Sequence, residues 1–386
     1  MCHNTEGGPT MRISDVKVRV LEPWGPFKWT DRVPESYFNA LLFTVVADNG
    51  LEGHCITWLN RSVRATNENL NYYKQVLVGE DPHYMEKFSQ ILTNQNDYPS
   101  DDASALDIAI WDLLGKAHNE PVYKLLGAKR DKIKAYASTV RYNTDQEYID
   151  LAFRCIEEGY KAFKTHAYAI PDDDIRLCRA LRAAVGDKLE LMHDPLNEYT
   201  LHEAIKVGKV LHELNYAWLE SPIRETDVDG LAWLRTKVKV PITAGETRYQ
   251  GLFGWTQLLK KQAVDSARAI GDHVGGITVM RKMAAIAEGF GVNFETHSYG
   301  PITITVAHLH MMLAQNNCEY IELTVPYEQF QKYSLETVKP DKDGFVHAPT
   351  KPGLGYDLDW NMINAKTLRE LDGKCLPGEI PITIVT

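Results

Sequence analysis

LELMHDPLNEYT (residues 189–200), AWLESPI (217–223) and PITAGETRYQ (241–250) carry three acidic residues at one repeated interval. Asp194, Glu220 and Glu246 each stand 26 residues from the next, and each closes a short apolar run that reads as a buried strand. Apolar strands alternating with helical patterns predict a parallel α/β sheet. One strand–loop–helix–loop unit of an eight-unit barrel takes roughly 25 residues. The interval therefore places the three carboxylates on the C-terminal ends of three neighbouring strands. Clustered carboxylates repel one another unless a cation sits among them. Three hard oxygen ligands on a rigid rim suit Mg²⁺.

The same rhythm extends both ways. IKAYAS and AFKTHA precede these runs, and DSARAI, VNFETH and EYIEL follow, which makes eight strands with helical patterns between them. DQEYIDLAFRCIEEG is an amphipathic helix ending at Gly159, and a further helix is expected from Asp174 to Gly186. Upstream, ISDVKVRVLE and FNALLFTVVADNGLEGH read as strands with a turn at Asp48-Asn49-Gly50, and residues 62–118 read as helices. Residues 1–10 read as a loose polar arm. The expected division is a capping domain over 11–128, completed by 325–386, and a modified barrel over 129–324. Within the tail, PTKPGLGYDLD reads as turn and strand. The segment EPWGPFKWTDRVPES, with Trp24, Phe27, Lys28 and Trp29, is either a lid over a pocket or a loop pinned by its own aromatics.

Composition narrows the classes. The 386 residues are 44% apolar and 24% charged, as in soluble globular proteins, with no apolar run of membrane-spanning length. MCHNTEGGPT lacks the basic and apolar regions of a signal peptide, so a cytoplasmic protein is expected. The six cysteines show no C-x-x-C spacing, which argues against a disulfide framework and a zinc site. A net charge of −10 disfavours nucleic acid but leaves room for a small anionic substrate at a locally positive site.

Side chains alternate along a strand, so Ala162, Lys164 and His166 share one face of the second barrel strand. Asn293, Glu295 and His297 share one face of the seventh. Basic groups thus approach the three carboxylates from opposite sides. That arrangement suits removal of the proton next to a carboxylate: a divalent cation stabilises the charge of the enediolate, and a Lys or His takes the proton.

At these residues the chain resembles the mandelate racemase/muconate lactonizing enzyme group of the enolase superfamily, over about residues 11 to 370. The resemblance is carried by DNGLEGH, ALDIAIWDLLGK, PVYKLLGA, the Lys164 strand, the three carboxylates, VGGITVMRKMAAIAEGFGV, THSYGP, IEL at Glu322 and PGLGYDLD. That superfamily is known for pairing a Lys or His base with Mg²⁺. The resemblance implies an α+β cap on a modified (β/α) barrel, Mg²⁺ on Asp194, Glu220 and Glu246, and a homo-oligomer. It further implies Lys164 near the substrate carboxylate, His297 as acid or base, and Glu322 bonding a carboxylate oxygen.

Three positions depart from the pattern. His166 stands where a second Lys is frequent. Ile270 replaces the Asp that usually partners His297, leaving Asp272 or Glu295 as substitutes. Leu196 stands where many relatives carry Asn. A His without its Asp is a weaker base but a competent acid. The expected activity is therefore dehydration of a sugar acid to a 2-keto-3-deoxy acid, with the base on the Lys164/His166 side and His297 as the acid. A racemase, epimerase or cycloisomerase shares the half-reaction, and a metal-holding protein without catalysis is the rival of another class.

Overall fold

A computed structural model describes residues 11–59, 62–93, 101–246 and 251–374. Strands β1 (Ile13–Phe27), β2 (Ser36–Ala47) and β3 (Glu52–Leu59) form an antiparallel meander. Its alternating burial follows from Val16, Val18 and Val20 facing inward while Asp15, Lys17 and Arg19 do not. A helix over Asp101–Ala117 is buried along nearly its whole length.

Eight strands follow at the positions the sequence rhythm gives: β4 (Lys132–Thr139), β5 (Ala162–His166), β6 (Glu190–Asp194), β7 (Trp218–Glu220), β8 (Ile242–Ala244), β9 (Ser266–Ala269), β10 (Asn293–Thr296) and β11 (Tyr320–Val325). All are parallel, in the spatial order β10-β9-β8-β7-β6-β5-β4-β11. Thr144 and Thr200 start two of the intervening helices with capping boxes to Glu147 and Glu203.

The ladder stops between β10 and β11, where single contacts bridge the gap. The Phe294 amide donates to the Asn317 carbonyl at 2.7 Å, and the Glu295 carboxylate accepts the amides of Glu319 (2.9 Å) and Tyr320 (3.0 Å). Glu295 is thus a structural seam residue, not the substitute partner of His297.

The tail divides between both parts. β12 (Phe345–His347) pairs antiparallel with β4, and β13 (Thr367–Glu370) pairs with β1. PTKPGLGYDLD forms turns with isolated bridges rather than a strand. Its glycines at 353 and 355 have φ of 73° and 77°, which favours turn geometry. The helix expected from Asp174 begins at Pro171, because Pro is preorganised for the first helical turn and Asp172–Asp174 then sit at the positive end of the dipole.

The aromatic segment after residue 22 is resolved in favour of pinning. β1 continues to Phe27, and Trp24 and Phe27 are buried with Trp58, Phe330 and Tyr333 in the cap. The chain beyond is docked on the barrel rim. Asp31 receives Arg141 at 2.7 Å and donates its amide to the Tyr168 carbonyl, while Arg32 meets Glu203 at 2.8 Å. Only Trp29 of the three aromatics borders the barrel mouth.

Burial raises the Glu295 carboxyl to about 7, with the two amides opposing. A folded pKa above the unfolded value of about 4.3 means the proton favours the native state. Stability from this group is present below pH 4.3 and is lost as pH rises through about 7. Glu295→Gln keeps an acceptor for the seam and should flatten that pH dependence. Melting temperatures measured from pH 5 to 8 should show the variant gaining on wild type as pH rises; parallel curves would contradict the assignment.

Candidate active site

The barrel interior is built in layers. Tyr136, Ala162, Met192, Trp218 and Tyr320 form an apolar floor. Above it the same strand faces turn charged: two residues on from Ala162, Met192, Trp218 and Tyr320 stand Lys164, Asp194, Glu220 and Glu322, all fully buried. The strand period of two thus converts an apolar layer into an ionic one within a single pleat.

Asp194, Glu220 and Glu246 each present an oxygen within 4.8 Å of the others. Among the described residues they are the one group of three or more such ligands found. Two of them are held from behind: Asp194 Oδ1 by the Leu196 amide at 2.8 Å, and Glu220 Oε2 by the Trp218 indole at 2.9 Å. Glu246 follows Gly245, whose φ of 124° only glycine adopts readily. A Cβ there would lie 2.8 Å from the Arg268 carbonyl oxygen.

Lys164 Nζ lies at the centre, donating to Glu220 Oε1 at 2.6 Å, with Glu322 Oε1 at 2.8 Å and Asp194 Oδ2 at 3.4 Å. Arg268, from β9, enters from the opposite side. It donates to Glu322 Oε2 at 2.8 Å and to the Tyr136 hydroxyl at 3.1 Å, with its Nε 3.2 Å from Glu220 and 3.4 Å from Glu246. Sequence reasoning missed Arg268. Its signal was an arginine between alanines in an otherwise buried strand, where a charge stands only if partnered.

The electrostatics follow from four carboxylates against two fixed cations. Burial would raise the Asp194 and Glu322 carboxyls, but Lys164 with His166, and Lys164 with Arg268, hold them below their ordinary range. Glu246 goes the other way. Burial, and then the charges of Asp194, Glu220 and Glu225, raise it well above its ordinary value, and its Oε2 has no hydrogen-bond donor. That oxygen, with the Arg268 Nε no nearer than 3.4 Å and in an all-oxygen donor set, is what a hard divalent cation would satisfy, so the residues fit Mg²⁺.

Three histidines, His166, His273 and His297, line one pocket, together with Trp29, Phe38, Trp58, Leu196, Glu246, Ile270 and Tyr299. His166 Nδ1 faces the Thr139 carbonyl at 2.5 Å. A carbonyl only accepts, so Nδ1 carries a proton, and Nε2 lies 3.1 Å from Asp194 Oδ2, to which a protonated imidazole donates. Burial lowers His297 well below its ordinary range, and its Nδ1 has no hydrogen-bond partner. Neither Glu295 nor Asp272 bonds it, so the departure at Ile270 is not made good by either. The Tyr299 ring packs against both imidazoles, with centroids 5.5 Å from His166 and 6.0 Å from His297.

Residues 147–362 match the family model described as enolase C-terminal domain-like, and residues 33–127 match the N-terminal domain of mandelate racemase/muconate lactonizing enzyme. The chain belongs to the mandelate racemase/muconate lactonizing enzyme group of enolase-like enzymes. It is 31% identical to an arabinonate dehydratase of Saccharolobus solfataricus, over 66% of this chain and 69% of that one. It is also 31% identical to a D-galactarolactone cycloisomerase of Agrobacterium fabrum, over 74% and 81%. Among solved structures, a D-glucarate dehydratase from Agrobacterium tumefaciens complexed with magnesium superposes with a TM-score of 0.82 at 29% identity, covering 93% of this chain and all of that one.

Arg268→Met should leave Glu322 and the carboxylate triad facing Lys164 alone. Loss of one partner from a buried ionic network costs about 3–5 kcal/mol. Urea denaturation should show a loss of that order in chelator and a smaller one in Mg²⁺. A variant as stable as wild type in chelator would remove Arg268 from the network.

Proposed function

We propose that the protein is a Mg²⁺-dependent dehydratase of a sugar acid, converting it to a 2-keto-3-deoxy acid. The observation that carries this reading is that His166 and His297 line one pocket together with Glu246, a member of the carboxylate triad. Sugar-acid dehydratases among the relatives support it. Bound by Asp194, Glu220 and Glu246, the cation would supply positive charge beside the substrate carboxylate, where negative charge grows as the C2 proton leaves.

The base is His166 rather than Lys164. The Lys164 ammonium is buried among Glu220, Glu322 and Asp194, and burial, which would lower it, is overcome by those charges, so it stays protonated. It serves as a fixed cation. His166 keeps its Nδ1–H on Thr139 and, in its neutral form with Nε2 unprotonated, takes the C2 proton there. Electrons from the C2–H bond form the enediolate; on its collapse the C3–O bond breaks. His297, which burial keeps neutral until the negative charge of a bound acid raises its proton affinity, then delivers a proton to the departing oxygen, which leaves as water, and the enol tautomerises to the ketone. Glu322, held by Arg268 and the Ser298 amide, faces the same interior and completes the site.

The aromatic wall of Trp29, Phe38, Trp58 and Tyr299 favours a second reading, cycloisomerisation. No lysine or arginine among the described residues lines this pocket, and its ring faces suit a cyclic acid. If the oxygen leaving C3 belongs to a ring, the same steps open the ring and release no water.

A screen of acid sugars and their cyclic forms with Mg²⁺, read by mass spectrometry, separates the two: dehydration removes the mass of water, ring opening leaves the mass unchanged. In D₂O, His297→Asn should still exchange the C2 proton while forming no 2-keto product, and His166→Asn should lose exchange. Exchange kept in His166→Asn and lost in His297→Asn would reverse the two roles.

A further inference from the structure

In a groove that shares no lining residue with the pocket at the barrel mouth, the loop before residue 85 meets the C-terminal end of the 101–117 helix. There His83 Nε2 and His118 Nε2 lie 2.8 Å apart, with the rings nearly perpendicular at 76°. Behind His83, its Nδ1 lies 2.6 Å from Asp81 Oδ1, and the same oxygen accepts the His83 backbone amide at 2.9 Å. A carboxylate only accepts, so Nδ1 carries the proton and the Nε2 lone pair of His83 is aimed at His118. The two bonds to His83 outweigh the effect of burial and hold the Asp81 carboxyl below its ordinary range, keeping it an acceptor.

The geometry points to a second metal site, for a borderline cation such as Zn²⁺, Ni²⁺ or Cu²⁺, on His83 and His118. An oriented carboxylate–histidine pair with the far nitrogen free to coordinate is how proteins present imidazole to such ions. Two nitrogens about 2.0–2.1 Å from one tetrahedral ion stand roughly 3.3 Å apart, so the rings need open by only about half an ångström. The His118 proton now between the two nitrogens is what the ion replaces.

Imidazole donors select against Mg²⁺, so this site and the carboxylate triad would not compete for one metal. The pair is solvent-facing, at the edge of an open groove that also includes Glu86, Trp111 and Arg281. Water therefore completes the coordination, and binding is reversible. The ion would tie two segments 35 residues apart in the chain and so stabilise the cap against the unfolded chain.

The test is Zn²⁺ titration of Mg²⁺-saturated protein, followed by calorimetry and thermal melting. Wild type should bind one equivalent with a rise in melting temperature that chelator reverses. The doubly substituted His83→Asn/His118→Asn protein should lose that equivalent. Asp81→Asn should weaken binding about 10-fold or more. A wild type with no saturable equivalent, or a double variant that binds Zn²⁺ as wild type does, would overturn the proposal. C2 proton exchange with Mg²⁺ alone should be the same in all these variants, which separates this site from the catalytic one.

Discussion

Four carboxylates buried at the centre of one barrel are the constraint on which the rest of the structure turns. Removing an ion from water costs several kcal/mol even after relaxation, and a domain's whole stability is only about 5–15 kcal/mol. Asp194, Glu220, Glu246 and Glu322 therefore cannot stand there on packing alone. Lys164 and Arg268 neutralise half the charge from opposite walls. The remaining two negative charges match one divalent cation. On this view the buried cations are as necessary to the site as the ligands, because they leave a deficit of the size that Mg²⁺ fills.

The scaffold answers the same constraint. The floor of Tyr136, Trp218 and Tyr320 closes the barrel below and excludes water from the ionic layer, which strengthens every interaction within it. Gly245 lets the chain turn so that Glu246 reaches inward past the Arg268 carbonyl. The cap closes the other end with rings: Phe38 and Trp58 pack at 4.5 Å, and Trp29 meets Tyr299 at 4.9 Å. The pocket thus lies between a charged layer and an apolar roof, with His166, His273 and His297 in its walls.

Much of this was legible in the sequence, for reasons that are local. The barrel strands showed because each is a short apolar run ended by a turn, and the triad showed because the barrel's repeat length spaces strand ends evenly. The helix start at Pro171 was misplaced because an Asp run reads as a cap whether it precedes the first turn or fills it. The aromatic segment was ambiguous because burial of Trp24 and Phe27 depends on Phe330 and Tyr333, some 300 residues away. Proximity of that kind leaves no periodic trace. Lys164 was visible as a residue near a substrate carboxylate, but only the structure shows Glu220 and Glu322 closing on its ammonium. The roles proposed for Lys164 and His166 rest on those contacts.

The central claim is that the buried charge deficit is a metal site built by Asp194, Glu220 and Glu246. Crystals grown with Mn²⁺ in place of Mg²⁺ and measured for anomalous scattering test it most directly. The account predicts one strong peak inside the barrel, within about 2.0–2.3 Å of an oxygen from each of the three residues, and its loss in Glu220→Gln crystals. An empty triad at saturating Mn²⁺, or a peak that leaves any of the three carboxylates out of the first coordination shell, would contradict it.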